Sequence, residues 1–313
     1  MSGTHERAGV ALSSLDSPVL DGDPATKGDL VDYLDAVADR MLPVLARRPL
    51  TVTRVRPGQE PFVQKNLPKY TPDWVESTTI RSQTGREVRY ALCDDRRTLL
   101  WFANQRAVEY HPGLFTVDDH AATQLVLDLD PPEGAGFEAV VAVAHLVREA
   151  LGTLRGAVKT SGSKGVHIVV PLVPTGWEDA AAATRALAAR AAALDPTIAT
   201  TAFVKEEREG KVFVDSTRSG GATVVAAYSP RVRPGLPVSF PLEWSELDSA
   251  SPGDFTIATA PALLADRPTW TALLPEPQTL PADVVAEGHE IPVARVQAMH
   301  EGKRRKREAR RQR

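Results

Sequence analysis

Two aspartates stand two residues apart in the stretch LVLDLDPP, residues 125–132. The run reads as a β-strand. Alternate side chains of a strand point to opposite faces, so Leu125, Leu127 and Leu129 share one face and Val126, Asp128 and Asp130 the other. Neighbouring carboxylates repel, and burial penalises both charges. A divalent cation between them removes that cost; a solvated face also does. Two further segments bear on the choice. TSGSKGVHIVVP, residues 160–171, puts Gly162 and Gly165 in a turn with Ser161, Ser163 and Lys164, and His167 on the strand that follows. Free N–H groups, hydroxyls and a compact cation suit a phosphate chain. The spacing is not that of a Walker loop, and an ordinary hairpin with a solvated lysine fits the same residues. KVFVDS, residues 211–216, ends an apolar strand on Asp215. Three strand aspartates around a Gly/Ser/Lys/His turn point to a two-metal phosphoryl-transfer centre. In such centres carboxylate oxygens hold two hard cations, Mg²⁺ or Mn²⁺, ~3.5–4 Å apart.

The elements that would position these residues can be read from periodicity. Leu30, Tyr33, Leu34, Val37, Met41, Leu42 and Leu45 recur at helical spacing, which predicts a helix over 26–48, capped by Thr26 and kinked or ended early by Pro43. Strands are expected over 50–55, 87–92, 125–130, 157–160, 166–171, 212–215 and 223–227. Helices are expected over 99–109, 137–154 and 178–194, and a proline-rich loop over 57–78. Strands and helices mix without βαβ alternation, which predicts an α+β fold rather than a doubly wound sheet.

The bulk composition excludes several classes. No apolar run is long enough to span a bilayer, and the N-terminus lacks a signal-peptide pattern. Cys93 is the one cysteine, so no internal disulfide forms. It reads as a small buried apolar residue, and a reducing cytoplasm fits. Net charge is −3, yet the last eleven residues, KRRKREARRQR, carry +7 and leave −10 for residues 1–302. The basic tail suits either an anionic partner or plain solvent.

DLD, SGSKGVH and VFVD, in this order and spacing, resemble the archaeo-eukaryotic primase superfamily, and in particular the polymerase domain of bacterial ligase D from non-homologous end joining. The likeness runs over residues 12–275 and takes in LSSLD, TKGDLVDYL, LARRPLTVTR, FVQKN, LLWFANQRAVEYH and AAYSPR. It implies a primase-polymerase-like fold, with a central mixed or antiparallel sheet flanked by helices and a smaller N-terminal α/β subdomain. The expected division is a flexible 1–24, a catalytic domain over 25–290 (DNA-holding to about 120, catalytic from 121), and a closing helix with basic tail over 291–313. With no ligase or nuclease segment following, the chain reads as a stand-alone member.

By resemblance, Asp128, Asp130 and Asp215 ligate two Mn²⁺ or Mg²⁺ ions. Ser161, Ser163, Lys164, Gly165 and His167 hold the triphosphate of an incoming nucleotide, with Arg231 of AYSPR, and His111 of EYH lies near the sugar. Lys27 grips a downstream 5′-phosphate, Arg54 and Lys65 touch the DNA backbone, and Phe62 stacks on a base. The implied reaction is template-directed nucleotidyl transfer at DNA gaps or ends, with ribonucleotides accepted. Nucleoside triphosphates, a Ku-type end-binding protein and a separate ligase are the implied partners. The chain departs from the pattern at three places. Ser17 stands where relatives carry a second lysine, Val63 follows Phe62 where they have two aromatics, and Ser216-Thr217-Arg218-Ser219 replaces a Trp and Gln-Asn run. Competing readings are an aspartyl phosphatase, disfavoured by Pro131 and Pro132, an idle scaffold that binds DNA ends, and a primase-like enzyme outside end joining.

Overall fold

The computed structural model describes residues 5–81, 87–219 and 221–293. The expected closing helix over 291–313 and its basic tail lie largely outside these residues. The chain begins with a hairpin, β1 (His5–Arg7) and β2 (Val10–Leu12), whose alternate residues Val10 and Leu12 are buried. Residues 5–12, within the stretch expected to be loose, are thus a paired hairpin.

The helix expected over 26–48 is two helices, α1 (Lys27–Ala36) and α2 (Ala38–Leu45). They part at Val37, whose backbone leaves the helical region, and Pro43 is accommodated inside α2. Thr26 caps α1 in a reciprocal box: its hydroxyl accepts from Asp29 N–H, and the Asp29 carboxylate accepts from Thr26 N–H at 2.8 Å.

The first sheet follows, built from β3 (Leu50–Arg56), β4 (Gln59–Gln64), β5 (Ser77–Arg81), β6 (Glu87–Ala91) and, after α3 (Arg96–Asn104), β7 (Ala107–Pro112). β3 pairs antiparallel with β4 and β7, and bridges β6 at Leu50. β4 falls where a loop was expected. It is an edge strand, where proline is tolerated, and it carries Pro61. The helix expected to reach Glu109 stops at Asn104, because Arg106 takes a left-handed φ of 59° and turns the chain into β7.

The second sheet holds the aspartates. Its strands are β8 (Ala122–Asp130), then, after α4 (Phe137–Ala150), β9 (Ala157–Thr160) and β10 (Val166–Thr175), and, after α5 (Trp177–Leu194), β11 (Ala199–Thr200), β12 (Val212–Asp215) and β13 (Pro241–Leu242). The order is β11-β12-β8-β10-β9-β13, antiparallel except for β11 against β12. The face carrying Leu125, Leu127 and Leu129 is fully buried, and α4 and α5 pack on the sheet there. The alanines of α5 leave room for close approach. Residues 223–227, expected as a strand, make one isolated bridge, Gly113 to Thr223. Small helices α6 (Ala260–Leu264), α7 (Trp270–Leu273) and α8 (Ala282–Glu290) close the fold, α8 against α5.

Buried apolar residues of both sheets form one continuous core. Tyr228 pins it from the N-terminal side: its carbonyl accepts from Tyr33 Oη at 2.7 Å, and its hydroxyl accepts from Trp270 N–H at 2.6 Å. Replacing the α1 cap, Thr26→Ala, leaves the Asp29 N–H at the helix end without its partner and should cost about 1 kcal/mol of stability. Urea denaturation of the two proteins checks this.

Candidate active site

One line of paired residues crosses the second sheet. Asp215 of β12 is the register partner of Asp128 of β8, which is also paired with His167 of β10, and His167 with Lys159 of β9. Directly paired residues point to the same face, so four ionisable side chains stand side by side. Asp130, two residues along β8, joins them on that face and is partly solvated. Asp128, Asp215, His167 and Lys159 are each no more than 6% exposed.

Burial on that scale requires partners. His167 Nε2 lies 3.1 Å from Asp128 Oδ1, and His167 Nδ1 lies 2.7 Å from Lys159 Nζ. Lys159 donates to Ser239 Oγ at 2.7 Å, and that hydroxyl donates to the Thr160 carbonyl. Burial, reinforced by Lys159, lowers the His167 pKa to about 4, so the ring is neutral at physiological pH, donating through Nε2 and accepting through Nδ1. Burial likewise drives the Lys159 amine well below its ordinary pKa. Burial alone would raise Asp128, but His167, Arg218 and Lys159 together hold its carboxyl below the usual range. Asp130 goes the other way: burial and the charges of Asp128 and Asp215 push it up to about 6.

Arg218 clamps the pair. Its Nη2 and Nε lie 3.1 and 3.2 Å from Asp128 Oδ2, and Nε lies 3.3 Å from Asp215 Oδ2. Among the described residues no three acidic, His or Cys side chains are gathered closely enough to hold a metal ion as they stand. The sheet brings the three aspartates to one face, and Arg218 engages two of them.

The Ser161–Gly165 turn sits at the end of this line. Gly162 has φ +68°, and a Cβ there would come within 2.8 Å of Ser239 N; at Gly165 it would meet the Leu129 carbonyl at 2.2 Å. Glycine at 165 thus lets the turn press against β8, and glycine at 162 lets it press against the Val238–Ser239 backbone. Ser161 Oγ closes it by accepting from Gly165 N–H, while Lys164 is exposed. Arg231 Nη1 donates to the Ser161 carbonyl at 2.5 Å, and its Nε to Glu109 at 3.0 Å. Glu109 also meets His111 Nε2 at 2.9 Å and accepts from Thr53 and from Val232 N–H. Turn, Arg231 and His111 are thus joined through one carboxylate. His167 stands apart from the expected triphosphate group, since both its nitrogens are engaged within the sheet.

The expected DNA-side residues divide. Lys27 is 3% exposed and donates to the Ser13 carbonyl at 2.6 Å. Burial and the neighbouring Arg106 lower its pKa to about 8. Arg106 donates to Ser17 Oγ and to the Pro18 carbonyl, so a second cation does stand at the Ser17 position, supplied from after α3. Arg54, expected to touch the DNA backbone, is 6% exposed and donates to the Gln105 carbonyl, Gln64, Tyr70 and the Gln105 side chain, so its guanidinium is engaged within the protein. With Arg56 it lies over the Phe62 ring, at 5.5 and 4.9 Å. Val63 beside Phe62 and Tyr70 are both exposed. Lys65 is exposed and lines a cavity of 310 Å³ with Thr51, Tyr90, Phe115 and Arg218. The sequence reading missed Lys159, Glu109 and Arg106. For Lys159 and Glu109 the available signal was a charged residue inside a strand whose neighbours are apolar, as in AVKT and AVEYHP; Arg106 precedes β7 and carried no such signal.

This α+β fold is that of the primase-polymerases. The chain belongs to the LigD primase-polymerase domain family, which matches residues 26–270. It is 33% identical over 258 residues to the bifunctional non-homologous end joining protein LigD of Bacillus subtilis, covering 80% of this chain and 41% of that protein. It is 36% identical over 262 residues to the multifunctional LigD of Mycobacterium bovis, covering 79% and 34%. The chain thus spans well under half the length of these relatives. The solved polymerase domain of Mycobacterium tuberculosis ligase D in complex with DNA is 32% identical, with a TM-score of 0.75 over 83% of this chain and 95% of that one. Among the described residues no helix is long and apolar enough to cross a membrane.

The repulsion around Asp130 has a measurable sign. A carboxyl whose pKa rises on folding destabilises the fold increasingly as pH climbs from its unfolded value near 4 through about 6, and the full cost is present at neutral pH. Asp130→Asn removes that cost. In EDTA it should stabilise the chain by about 1–2 kcal/mol at neutral pH, discounted for partial solvation, and the two proteins should converge near pH 4. Urea melts across pH measure the difference, and a destabilised variant at neutral pH contradicts the repulsion.

Proposed function

We propose that this chain is a template-directed nucleotidyltransferase that extends or fills DNA ends in non-homologous end joining and accepts ribonucleotides. The observation that carries the reading is the line Asp215–Asp128–His167, with Asp130 beside it, in a member of the LigD primase-polymerase family. The names of the relatives support end joining, and the DNA complex of the solved relative supports DNA binding. A Ku-type end-binding protein and a ligase are the partners this reading entails.

The donor set suits hard divalent cations, since three carboxylates share one face and the third is destabilised by the other two. Held by Asp128, Asp130 and Asp215, Mn²⁺ or Mg²⁺ would supply the positive charge that activates a primer 3′-hydroxyl and offsets the charge of departing pyrophosphate. The chain does the rest. Neutral His167 donates to Asp128 and fixes which of its oxygens faces outward. The Ser161–Gly165 turn, with Ser163 and Lys164, offers hydroxyls and a cation to a triphosphate. Arg231, held by Glu109, adds a planar donor on the same side. Glu109 orients His111 toward the sugar. Lys27 and Arg106 form a two-cation seat for a downstream 5′-phosphate, Lys65 adds a backbone contact, and the exposed part of Phe62 receives a base.

Two experiments test this. Asp128→Asn and Asp215→Asn should lower nucleotide incorporation on gapped, primed DNA by about a thousandfold or more, because both touch the reacting centre. DNA affinity should stay within about threefold, since phosphate contacts dominate it. Incorporation at the parent rate by either variant defeats the assignment. Separately, preference for a gap bearing a 5′-phosphate over one ending in hydroxyl should fade as pH rises through about 8, because only protonated Lys27 attracts the anion. Arg106→Ala should weaken that preference at neutral pH and move its loss to higher pH, since Arg106 is one cause of the lowered lysine. Binding anisotropy with the two gaps, across pH, reads both effects.

A further inference from the structure

We propose that Arg218 is a built-in counter-ion of the aspartate group, and that a divalent cation binds there only by displacing it. The inference rests on the polymerase reading above. Its basis is an inventory of carboxylate oxygens. Asp128 Oδ1 lies against His167 Nε2 at 3.1 Å, and Asp215 Oδ1 accepts from Thr217 N–H at 2.7 Å. The remaining oxygen of each, Oδ2, is the one that Arg218 holds, at 3.1 and 3.3 Å. A metal ion bridging Asp128 and Asp215 through their outward oxygens needs the same two atoms, so guanidinium and metal exclude each other.

Three features make the exchange workable. Two nearly buried carboxylates side by side need a positive charge in the absence of metal, and Arg218 supplies it from the turn directly after Asp215. Its side chain is 38% exposed, unlike the carboxylates it holds. It also lines the 310 Å³ cavity shared with Lys65 and Thr51, which leaves room for the guanidinium to swing while the strands stay in place. Arg218 thereby sets metal affinity. It lowers occupancy by a lone ion and favours loading when a phosphate anion arrives with the metal, because the displaced guanidinium then gains a new partner.

The test is Mn²⁺ binding to the whole chain without DNA or nucleotide, followed by electron paramagnetic resonance of free Mn²⁺ and by titration calorimetry. Removing a full charge that competes for the same oxygens should tighten Mn²⁺ binding by about tenfold or more in Arg218→Ala and Arg218→Gln. Arg218→Lys, which keeps the charge and loses the fork, should fall between. In EDTA, Arg218→Gln should melt at a lower temperature than the parent, and saturating Mn²⁺ should close the gap. Adding a non-hydrolysable nucleoside triphosphate should tighten Mn²⁺ binding more in the parent than in Arg218→Ala. Parent-like or weaker Mn²⁺ binding by Arg218→Ala and Arg218→Gln, with Asp128→Asn and Asp215→Asn impaired, overturns the counter-ion role and leaves the metal site standing. Parent-like binding by the two aspartate variants overturns the metal site itself, and this inference with it.

Discussion

The register of β8 against its two neighbours is the constraint on which the rest depends. Because pairing is residue against residue, one hydrogen-bonded alignment fixes Asp215, Asp128, His167 and Lys159 as neighbours on one face. A slip by a single residue would turn Asp128 toward the helices and Leu127 or Leu129 toward the site. The apolar face prevents that slip: Leu125, Leu127 and Leu129 are wholly buried, and each would have to surrender its burial for the charges to move. Hydrophobic packing on one side of the sheet therefore holds the electrostatics on the other. The same line also explains the titration of Asp128, His167 and Lys159, each desolvated by burial and then biased by charges on the neighbouring strands.

Much of this was legible in the chain itself. Strict alternation in LVLDLD gives both the strand and the split between apolar and acidic faces, and SGSKG gives a tight turn because its glycines tolerate geometry that other residues do not. The mixed order of helices and strands gives an α+β fold. What was not legible depends on contacts distant in sequence. Arg54 looks like a surface cation until Gln64, Tyr70 and Gln105 arrive to satisfy it. β4 looks like a loop because Pro61 argues against a strand, and only its edge position removes the objection. Arg106 gives no local sign that it will meet Ser17, since that meeting follows from a left-handed backbone turn at the end of α3.

Charge in this site is distributed by pairing rather than by accumulation. Glu109 serves Arg231, His111, Thr53 and the Val232 amide at once, and is held below the ordinary carboxylate range against the opposing effect of burial by His111, Arg231 and that amide. Burial of one carboxylate so heavily engaged fixes the orientation of several groups around it. Burial and the charges of Asp128 and Asp215 disfavour the ionised form of Asp130, the member of the three aspartates nearest solvent.

The stretch from Ala226 to Ser229 has a consequence for how the two halves relate. Ala226 N–H binds the Tyr110 carbonyl, Ser229 Oγ accepts from Tyr110 N–H, and Tyr228 joins Tyr33 to Trp270. A segment that follows the second sheet's β12 is thus sewn into β7 of the first. The two sheets therefore belong to one folding unit, and cutting the chain between them would strip each of the contacts along this seam.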